Sequence, residues 1–351
     1  MSSWESYVRK VVPYVPGEQP QEQHMIKLNT NENPYPPAPG VIRALKEFDT
    51  DRLRLYPEPT CKVLVDAIAE YYRLKSSQVF VGVGSDDVLA MIFMTFFNSK
   101  TPVWFPDITY SFYPVWCEML HIPFETIPVD DSFNINAADY KRPNGGVVIA
   151  NPNAPTSIGR CLDFMREILD ANPDSVVISD EAYVDFGGTS SVPLLKEYEN
   201  LVVVQTFSKS RSMAGMRIGY ALGNKEIISA LFAAKDSYNS YPLDSVAIAA
   251  GVASVEDEEY FRATVQKVVA TRRRLTEELC AMGFDVADSS TNFLFAEHPK
   301  YRAKDIQEYL KTRDIYVRYF SKKRIDNRLR ITIGTDEEID ALISALRDYI
   351  K

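Results

Sequence analysis

The chain has 351 residues, of which 46% are hydrophobic and 25% are charged, and its net charge is −9. This is the composition of a globular protein, so it excludes a disordered, collagenous or coiled-coil chain. The length suggests two domains, or one large domain with an appendage. An acidic chain binds nucleic acid and anionic membranes poorly, so we expect neither as a partner.

Cysteine usage and the N-terminal sequence indicate a cytoplasmic protein without a metal site. The N-terminal segment MSSWESYVRK is charged where a signal peptide needs an apolar core, and no window approaches about 18 uncharged apolar residues. The cysteines are far apart and have no histidine pair nearby, so we predict neither a zinc site nor a disulfide framework. Buried thiols in a reducing compartment are the expectation for Cys61, Cys117, Cys161 and Cys280.

The first 60 residues are rich in proline, so much of this segment must be extended or turned. An extended segment is expected to lie on another surface. We predict that residues 1–40 form an arm that packs on a small domain and on a partner subunit.

From residue 60 onwards, segments with helical periodicity alternate with short β-branched runs. Such runs are expected to be buried on both faces, which is typical of a largely parallel sheet with helices on both sides. We assign residues 41–245 to this large α/β domain. Its predicted helices are 63–74, 86–97, 111–121 and 162–171, and its predicted strands are 79–83, 102–105, 123–128, 146–150, 175–179, 200–207 and 218–222.

The pattern changes after about residue 240, where a long charged helix is predicted over about 256–282. Shorter strands and helices follow it. Residues 246–351 are therefore predicted to form a smaller α/β domain, with strands near 292–296, 315–318 and 328–333 and helices at 303–312 and 336–350.

Polar residues follow several of the predicted strands, and ligands of open α/β sheets bind at the carboxyl ends of strands. In GVGSDDVL (82–89), Ser85 opens a helix whose free N–H groups could bind phosphate, although Ser85 is equally a plain N-cap. In ISDEAYVDF (178–186), Asp180 ends a buried strand, which is costly unless a cation such as a protonated pyridine nitrogen meets it. A helix cap or a structural ion pair would explain Asp180 as well.

Two further strand ends carry candidate chemistry. In QTFSKSRSMAGMRIGY (205–220), Lys209 lies between two serines and precedes Arg217 by eight residues. This pattern suits a lysine that bonds a phosphate-bearing cofactor, with Arg217 as a phosphate clamp, although a lone lysine is more often a surface residue. The segment NPNAPTSIG (151–159) can aim an amide at a ring hydroxyl, or be an ordinary turn.

In this order and spacing, the four segments resemble those of fold-type I pyridoxal-phosphate-dependent aminotransferases, over essentially the whole chain. Similarity to the histidinol-phosphate aminotransferase family rests on KLNTNENPYPP (27–37), RLYPEPT (54–60), PYVPG (13–17), DITYSFYPV (107–115), VRYF (317–320) and RLRITIGT (328–335). The resemblance implies a mostly parallel central sheet with a smaller α/β domain, and pyridoxal 5′-phosphate as cofactor. It also implies transamination between histidinol phosphate and 2-oxoglutarate in histidine biosynthesis.

The resemblance further implies roles for individual residues. Lys209 would bond the cofactor and move the substrate proton, Asp180 would pair with the pyridine nitrogen, and Tyr183 would bond the ring oxygen O3′. The other implied cofactor contacts are Ser85, Asp86, Tyr110, Asn153, Ser208 and Arg217, together with Tyr56 from the second subunit of a homodimer. The implied substrate contacts are Tyr14, Asn31, Arg318 and Arg330.

One segment departs from the family pattern NPNNPTG. Ala154 replaces the asparagine that bonds O3′ in the family, and Ser157 replaces the glycine. Asn153 is the nearest substitute donor, with Asn151 behind it. Loss of one such hydrogen bond costs on the order of 1 kcal/mol, so we expect cofactor binding to survive.

Alternative functions include an aromatic amino-acid aminotransferase of the same fold and, fitting the arm less well, a lyase similar to threonine-phosphate decarboxylase. A nicotinamide-dependent dehydrogenase would need GxGxxG after its first strand, and a cofactor-dependent regulator would need a DNA-binding domain. The sequence shows neither. The expected partners are therefore a small-molecule amino donor, a 2-oxo acid and a second copy of the chain.

Overall fold

The computed structural model describes residues 3–15, 17–19 and 25–350, so parts of the predicted arm (1–2, 16 and 20–24) lie outside the described residues. The described strands are β1 Ile26–Leu28, β2 Val79–Gly82, β3 Val103–Pro106, β4 Phe124–Ile127, β5 Gly146–Ala150, β6 Val177–Asp180, β7 Leu201–Thr206, β8 Gly219–Gly223, β9 Asp285–Val286, β10 Phe293–Glu297, β11 Ile315–Tyr319 and β12 Arg328–Thr332. The described α-helices are α1 Pro39–Lys46, α2 Lys62–Tyr72, α3 Gly84–Phe96, α4 Tyr113–Leu120, α5 Leu162–Ala171, α6 Lys225–Tyr238, α7 Ser245–Glu256, α8 Glu258–Ala281, α9 Ala303–Lys311 and α10 Asp336–Tyr349.

Seven strands form the larger sheet, in the order β2-β8-β7-β6-β5-β3-β4. All neighbouring pairs are parallel except those of β8, which runs antiparallel to both β2 and β7. Every residue of β5, β6, β7 and β8 is buried. Burial on both faces explains the runs of valine, isoleucine and leucine in β5 and β7.

Helices cover both faces of this sheet. Buried side chains of α2, α5 and α7 pack on one face, and those of α3, α4 and α6 pack on the other. The predicted mostly parallel sheet with helices on both sides is therefore confirmed. The carboxyl ends of its central parallel strands lie together at one edge, where ligands bind in this architecture.

The smaller sheet has the order β1-β11-β12-β10-β9. Four of its strands, β9, β10, β11 and β12, pair antiparallel, whereas β1 comes from the N-terminal arm and pairs parallel with β11. Buried side chains of α8, α9 and α10 form one hydrophobic cluster with this sheet. The arm therefore contributes a strand to a sheet whose other members come from the C-terminal quarter of the chain.

The predicted segments 63–74 and 146–150 correspond to α2 and β5, and the other predicted elements are also found, with ends within about two residues. The prediction missed α1, α6, α7, β1 and β9. Helix α7 packs on α1 and α2 and shares their hydrophobic cluster with the larger sheet. The boundaries at residues 40 and 245 stay a prediction.

The cysteine prediction holds for only two of the four side chains. Cys61 and Cys117 are buried, whereas Cys161 and Cys280 are exposed. Cys161 precedes the first turn of α5, and Cys280 lies on the solvent side of the last turn of α8. Among the described residues, no helix has the length and apolarity needed to span a bilayer.

Candidate active site

A cavity of about 540 Å³ lies where β5, β6 and β7 end, and it is also lined by the arm and by the smaller sheet. Its walls include the last residues of those strands, Ala150, Asp180 and Thr206. Twelve of the fourteen predicted site residues line it, and the two exceptions are Asn153 and Tyr56. The twelve are Tyr14, Asn31, Ser85, Asp86, Tyr110, Asp180, Tyr183, Ser208, Lys209, Arg217, Arg318 and Arg330.

The Asp180 carboxylate is 5% exposed and has one side-chain donor, Tyr113, whose Oη lies 2.6 Å from Oδ2. The other oxygen, Oδ1, has no hydrogen-bond partner among the described residues. Burial raises the pKa of Asp180 to about 6, and the hydrogen bonds from Tyr113 and from the backbone of Ala182 oppose that rise. A cationic N–H group in the cavity would satisfy Oδ1 and keep the carboxylate ionised.

Lys209 extends from the loop that follows β7. Its Nζ donates to the carbonyl oxygen of Thr30 at 3.3 Å and lies 5.7 Å from the centre of the Tyr183 ring. The side chain of Asn33 holds the loop, because Nδ2 donates to the carbonyl oxygens of Lys209 at 3.0 Å and of Ser210 at 3.2 Å. A fixed backbone with a loosely held amine suits a nucleophile that must reach into the cavity.

An anion seat lies at the start of α3. The helix begins at Gly84, and its first N–H groups have no side-chain cap. Arg217 Nη1 donates to Ser208 Oγ at 3.3 Å, and Nη2 lies 3.7 Å from Asp86 Oδ2. Helix N–H groups, hydroxyls and a guanidinium together favour a phosphate.

Two glycines allow this close approach of β8 and Arg217 to the helix. Gly84 has a φ of +82°, and a Cβ atom there would lie 2.4 Å from Arg217 Nη2. A Cβ atom at Gly219 would lie 2.3 Å from the backbone nitrogen of Ser85. A side chain at either position would displace the anion seat.

Aromatic side chains form one wall of the cavity. Tyr110 Oη donates to Asp86 Oδ1 at 2.9 Å, and the Tyr110 ring lies edge-on to Tyr113, with 5.7 Å between ring centres. Tyr14, from the arm, stacks on Phe112 at 4.6 Å and lies 6.2 Å from Tyr110. The arm therefore closes the cavity on this side.

Asn31 connects the arm to Tyr183. Its Nδ2 donates to Tyr183 Oη at 2.9 Å, and its own backbone and side-chain oxygen are fixed by Thr332 Oγ1 at 3.0 and 3.1 Å. The residue has a φ of +58°, a conformation that asparagine tolerates better than most residues. Because Tyr183 Oη accepts from Asn31, its own hydrogen is free to donate into the cavity.

Two arginines from the smaller sheet face the same cavity. Arg318 on β11 and Arg330 on β12 are direct cross-strand partners. Arg330 Nη2 donates to the carbonyl oxygen of Asn29 at 2.8 Å, and its Nε has no partner among the described residues. Burial lowers the pKa of Arg330, and the nearby charge of Arg318 acts in the same direction. Adjacent guanidinium groups of this kind attract anionic ligands.

Comparison with known proteins identifies the family. The family described as "Aminotransferase class I and II" matches residues 23–346. The chain belongs to this family. It is 51% identical over 349 residues to the histidinol-phosphate aminotransferase of Lactococcus lactis subsp. cremoris, covering 99% of this chain and 98% of the relative. It is 52% identical over 348 residues to histidinol-phosphate aminotransferase 2 of Dechloromonas aromatica, covering 98% of both chains.

Solved structures show the same fold for this aminotransferase. The histidinol-phosphate aminotransferase of Clostridium acetobutylicum superposes with a TM-score of 0.85 at 22% identity, covering 92% of this chain and 98% of that one. The enzyme of Sinorhizobium meliloti, in complex with pyridoxal 5′-phosphate, gives 0.82 at 23% identity, covering 92% and 90%. The predicted fold type I architecture is confirmed, as is the prediction of a pyridoxal-phosphate-dependent transferase.

The cavity of the aminotransferase fits this cofactor. Asp180 Oδ1 is an unpartnered carboxylate oxygen that could meet the ring nitrogen. The start of α3 with Arg217 could hold the phosphate, and the primary amine of Lys209 could meet the aldehyde carbon. The cavity therefore has a suitable group for each of the three parts of the cofactor that need a specific partner.

Asn153 does not line the cavity, and its predicted contact with O3′ stays a prediction. Its Nδ2 donates to Ile108 O and to Thr156 Oγ1, both at 2.9 Å, and its Oδ1 accepts from Thr109 at 2.7 Å. With both amide hydrogens bound, the side chain has none left for a ligand. Asn151 is also engaged, through the backbone of residue 160, whereas Ala154 lines the cavity.

Tyr56 does not line the cavity of its own chain. Its side chain is 83% exposed, and its ring stacks on Tyr241 at 4.8 Å. The buried ammonium of Lys235 holds this region, donating to the carbonyl oxygens of Pro59 and Ser240, each at 3.0 Å. The predicted action of Tyr56 on a second subunit's cofactor stays a prediction.

Sequence reasoning did not single out three residues whose contacts hold the predicted site residues. Tyr113 contacts Asp180, and Thr30 and Asn33 contact Lys209 or its loop. Thr30 and Asn33 lie within the NTNENP segment that supported the family resemblance, so the motif marked them without showing what they touch. Tyr113 lies in the DITYSFYPV segment, where it was indistinguishable from a core aromatic residue.

Proposed function

We propose that the aminotransferase transfers the amino group between histidinol phosphate and 2-oxoglutarate in histidine biosynthesis. Relatives that carry this name are about half identical over almost the whole chain. The observation that carries the proposal is the adjacent pair Arg318 and Arg330, which offers two cationic groups to one cavity. Both substrates of this reaction are anions, one a phosphate monoester and the other a dicarboxylate.

Lys209 is the proposed covalent and proton-transferring residue. When bound, pyridoxal 5′-phosphate supplies an electron-withdrawing ring that stabilises negative charge at the substrate Cα. Lys209 would hold the cofactor through its amine. Once the substrate amine has taken that place, the free Lys209 amine would accept the proton from the substrate Cα and return it to the neighbouring carbon. Its loop is fixed by Asn33, which keeps the amine within reach of both atoms.

Asp180 and Tyr183 are proposed to control the ring. Asp180 Oδ1 would accept a hydrogen bond from the protonated ring nitrogen, and the negative charge of the carboxylate would keep that nitrogen protonated. Tyr183, oriented by Asn31, donates its hydrogen to the ring oxygen O3′. With Ala154 in the usual asparagine position, Tyr183 is the proposed donor that remains. The phosphate would be held by Ser85, Asp86, Ser208 and Arg217, and Tyr110 would cover one face of the ring.

The proposed substrate-binding residues belong to the smaller sheet and the arm. Arg330 is proposed to bind the carboxylate of glutamate or 2-oxoglutarate by a two-point contact, since a guanidinium matches carboxylate geometry. Arg318 is proposed to bind the second anionic group, the distal carboxylate or the substrate phosphate. Tyr14 and Asn31 line the outer part of the pocket.

A screen of amino donors tests this proposal. The purified protein, loaded with cofactor, is expected to transfer the amino group of histidinol phosphate to 2-oxoglutarate far faster than that of phenylalanine or tyrosine. Preference for the aromatic amino acids would favour the aromatic aminotransferase. Release of carbon dioxide from threonine phosphate would favour the lyase, whose fold is also similar: the decarboxylase of Porphyromonas gingivalis gives a TM-score of 0.78 at 21% identity.

We also propose a cytoplasmic homodimer. Leu53, Leu55, Tyr56, Tyr238 and Tyr241 are exposed large hydrophobic side chains around the region held by Lys235, and a second copy would bury them. Two of the four free cysteines are exposed, which suits a reducing compartment. Sedimentation of the holoenzyme and fractionation of cells test these two proposals.

Tyr56→Phe is expected to weaken cofactor retention about ten-fold or more without changing the fold, because a hydrogen bond to a charged group contributes roughly 1.5–3 kcal/mol. Equilibrium dialysis of the holoenzyme measures the change.

Mixing the Tyr56→Phe protein with the Lys209→Ala protein tests whether Tyr56 acts across the subunit interface. In a hybrid dimer, one site carries both defects and the other carries neither. The assay uses a cofactor concentration at which the Tyr56→Phe homodimer binds too little cofactor to be active. Each hybrid dimer should then show about half the activity of a wild-type dimer. Verified hybrids without recovery would exclude a cross-subunit role.

A further inference from the structure

Within the described part of the chain, Asp180 has a single side-chain donor, and that donor has so far been given no role. Tyr113 is the first residue of α4 and is fully buried, and its Oη lies 2.6 Å from Asp180 Oδ2. The two Asp180 oxygens are thus unequal: Oδ2 is bound to Tyr113, whereas Oδ1 has no partner among the described residues. The phenol therefore occupies one carboxylate oxygen and leaves the other, Oδ1, for a further donor.

The orientation of the Tyr113 ring is fixed by its neighbours. The ring lies nearly parallel to Phe93, with 6.2 Å between centres, and edge-on to Phe105 at 5.6 Å and to Tyr110 at 5.7 Å. A ring enclosed in this way cannot turn its hydroxyl to another acceptor without repacking the cluster. The hydrogen bond is therefore preorganised.

The groups around Asp180 make its ionisation depend on this hydrogen bond. The carboxylate of Asp86, at the start of α3, disfavours ionisation of Asp180, and burial does so more strongly. The Tyr113 hydroxyl and the N–H of Ala182 favour it. Burial raises the pKa of Tyr113 itself, with further rises from Asp180, Tyr110 and Tyr183, so the phenol retains its proton and remains a donor.

We propose that Tyr113 is a positioning residue that holds Asp180 ionised, with Oδ1 turned towards the cofactor nitrogen. The inference rests on the proposed function in one respect, the pairing of Asp180 with that nitrogen. Its hydrogen bond selects the charged form of the carboxylate, because a donor to a carboxylate stabilises the ionised state over the protonated one. Catalysis would then remain effective at pH values where an equally buried carboxylate without a donor is protonated.

Tyr113→Phe removes the hydroxyl and keeps the ring. In the holoenzyme, the pH at which Asp180 becomes protonated is expected to rise by about one to two units, the equivalent of one hydrogen bond to a charged group. The acid limb of the single-turnover rate of Cα–H cleavage should move to higher pH by the same amount.

Tyr140→Phe is the matched control. Tyr140 is also fully buried, but its hydroxyl has no hydrogen-bond partner among the described residues. Loss of this hydroxyl should leave both profiles at their wild-type positions. A shift as large as that of Tyr113→Phe would show a general effect of removing buried hydroxyls, and the proposal would fall.

Infrared difference spectra of the holoenzyme across pH give a readout that does not depend on activity. The protonated-carboxyl band of Asp180 is assigned by its absence in Asp180→Asn, and its midpoint is compared between wild type and Tyr113→Phe. Identical midpoints would overturn the proposal. Should Tyr113→Phe not fold, replacement of Tyr113 by 3,5-difluorotyrosine keeps the shape and strengthens the donor, so the midpoint should move to lower pH. An unmoved midpoint there would overturn it equally.

The outcomes separate this inference from the proposed function. A wild-type protein that binds no pyridoxal phosphate or transfers no amino group would contradict the proposed function, whatever the midpoints show. A working transaminase whose Asp180 midpoint does not respond to either change at position 113 would contradict the role of Tyr113 alone.

Discussion

Lys209→Ala is expected to leave a folded protein with no detectable transamination. The substitution removes the only amine proposed to bond the cofactor and also removes the group that moves the substrate proton, so two steps fail together. Losses of several orders of magnitude follow when a covalent catalyst is removed. Steady-state turnover measures the rate, and circular dichroism together with thermal unfolding establishes that the fold is intact.

Two controls define the result for Lys209. Lys196→Ala removes an exposed lysine at the end of a short 3-10 helix and should leave turnover unchanged. Added small amines should restore part of the rate to Lys209→Ala, because a diffusing base can enter the space left by the side chain. Near-normal turnover of a well-folded Lys209→Ala protein would disprove the assignment.

Asp180→Asn has the second largest expected effect. The protein should keep its cofactor, held by the phosphate seat and Lys209, but break the Cα–H bond far more slowly. A neutral amide cannot stabilise a protonated ring nitrogen, and the buried pair loses its charge complementarity. The effect should appear in the single-turnover rate with amino donor, with little change in donor affinity.

Asp180→Glu provides the comparison, since it keeps the charge but displaces it by one methylene group. It should be slower than wild type and faster than Asp180→Asn. An unchanged rate in Asp180→Asn would mean that the carboxylate is structural and that the ring nitrogen points elsewhere.

The sequence was most informative where chemistry and secondary structure coincide. Asp180 and Lys209 could be found because Asp180 ends one buried strand, Lys209 follows the next, and the ends of neighbouring parallel strands converge. Helix α7 could not be found, since its sequence SVAIAAGVASVE has no polar face. Other elements pack on most of its surface. A helix buried in this way lacks the alternation of polar and apolar residues that identifies an amphipathic helix. Strand β1 is only three residues long and adjoins proline-rich sequence.

Side-chain orientation in loops was the other limit. Asn153 was a reasonable donor by position, but Thr109 and Thr156 bind its oxygen and one of its amide hydrogens, and nothing in local sequence indicates that arrangement. For Tyr113 the limit works in reverse: the sequence does not distinguish it from a core aromatic residue, but its hydroxyl donates a hydrogen bond to Asp180. Contacts between segments distant in the chain decide both, and such contacts leave no periodic signal.

Pairing of β1 with β11 has a consequence for biogenesis. Ile26 pairs with Ile315, and Asn31 is held by Thr332 across 301 positions of sequence. During translation the strands of the larger sheet are made before β11 and β12, which bind the arm. The larger sheet can therefore begin to fold before the arm has a strand to pair with. The arginines that line the cavity, the arm and the Tyr183 contact can assemble only when synthesis is nearly complete. A nascent chain should therefore remain catalytically silent until its last strand has emerged.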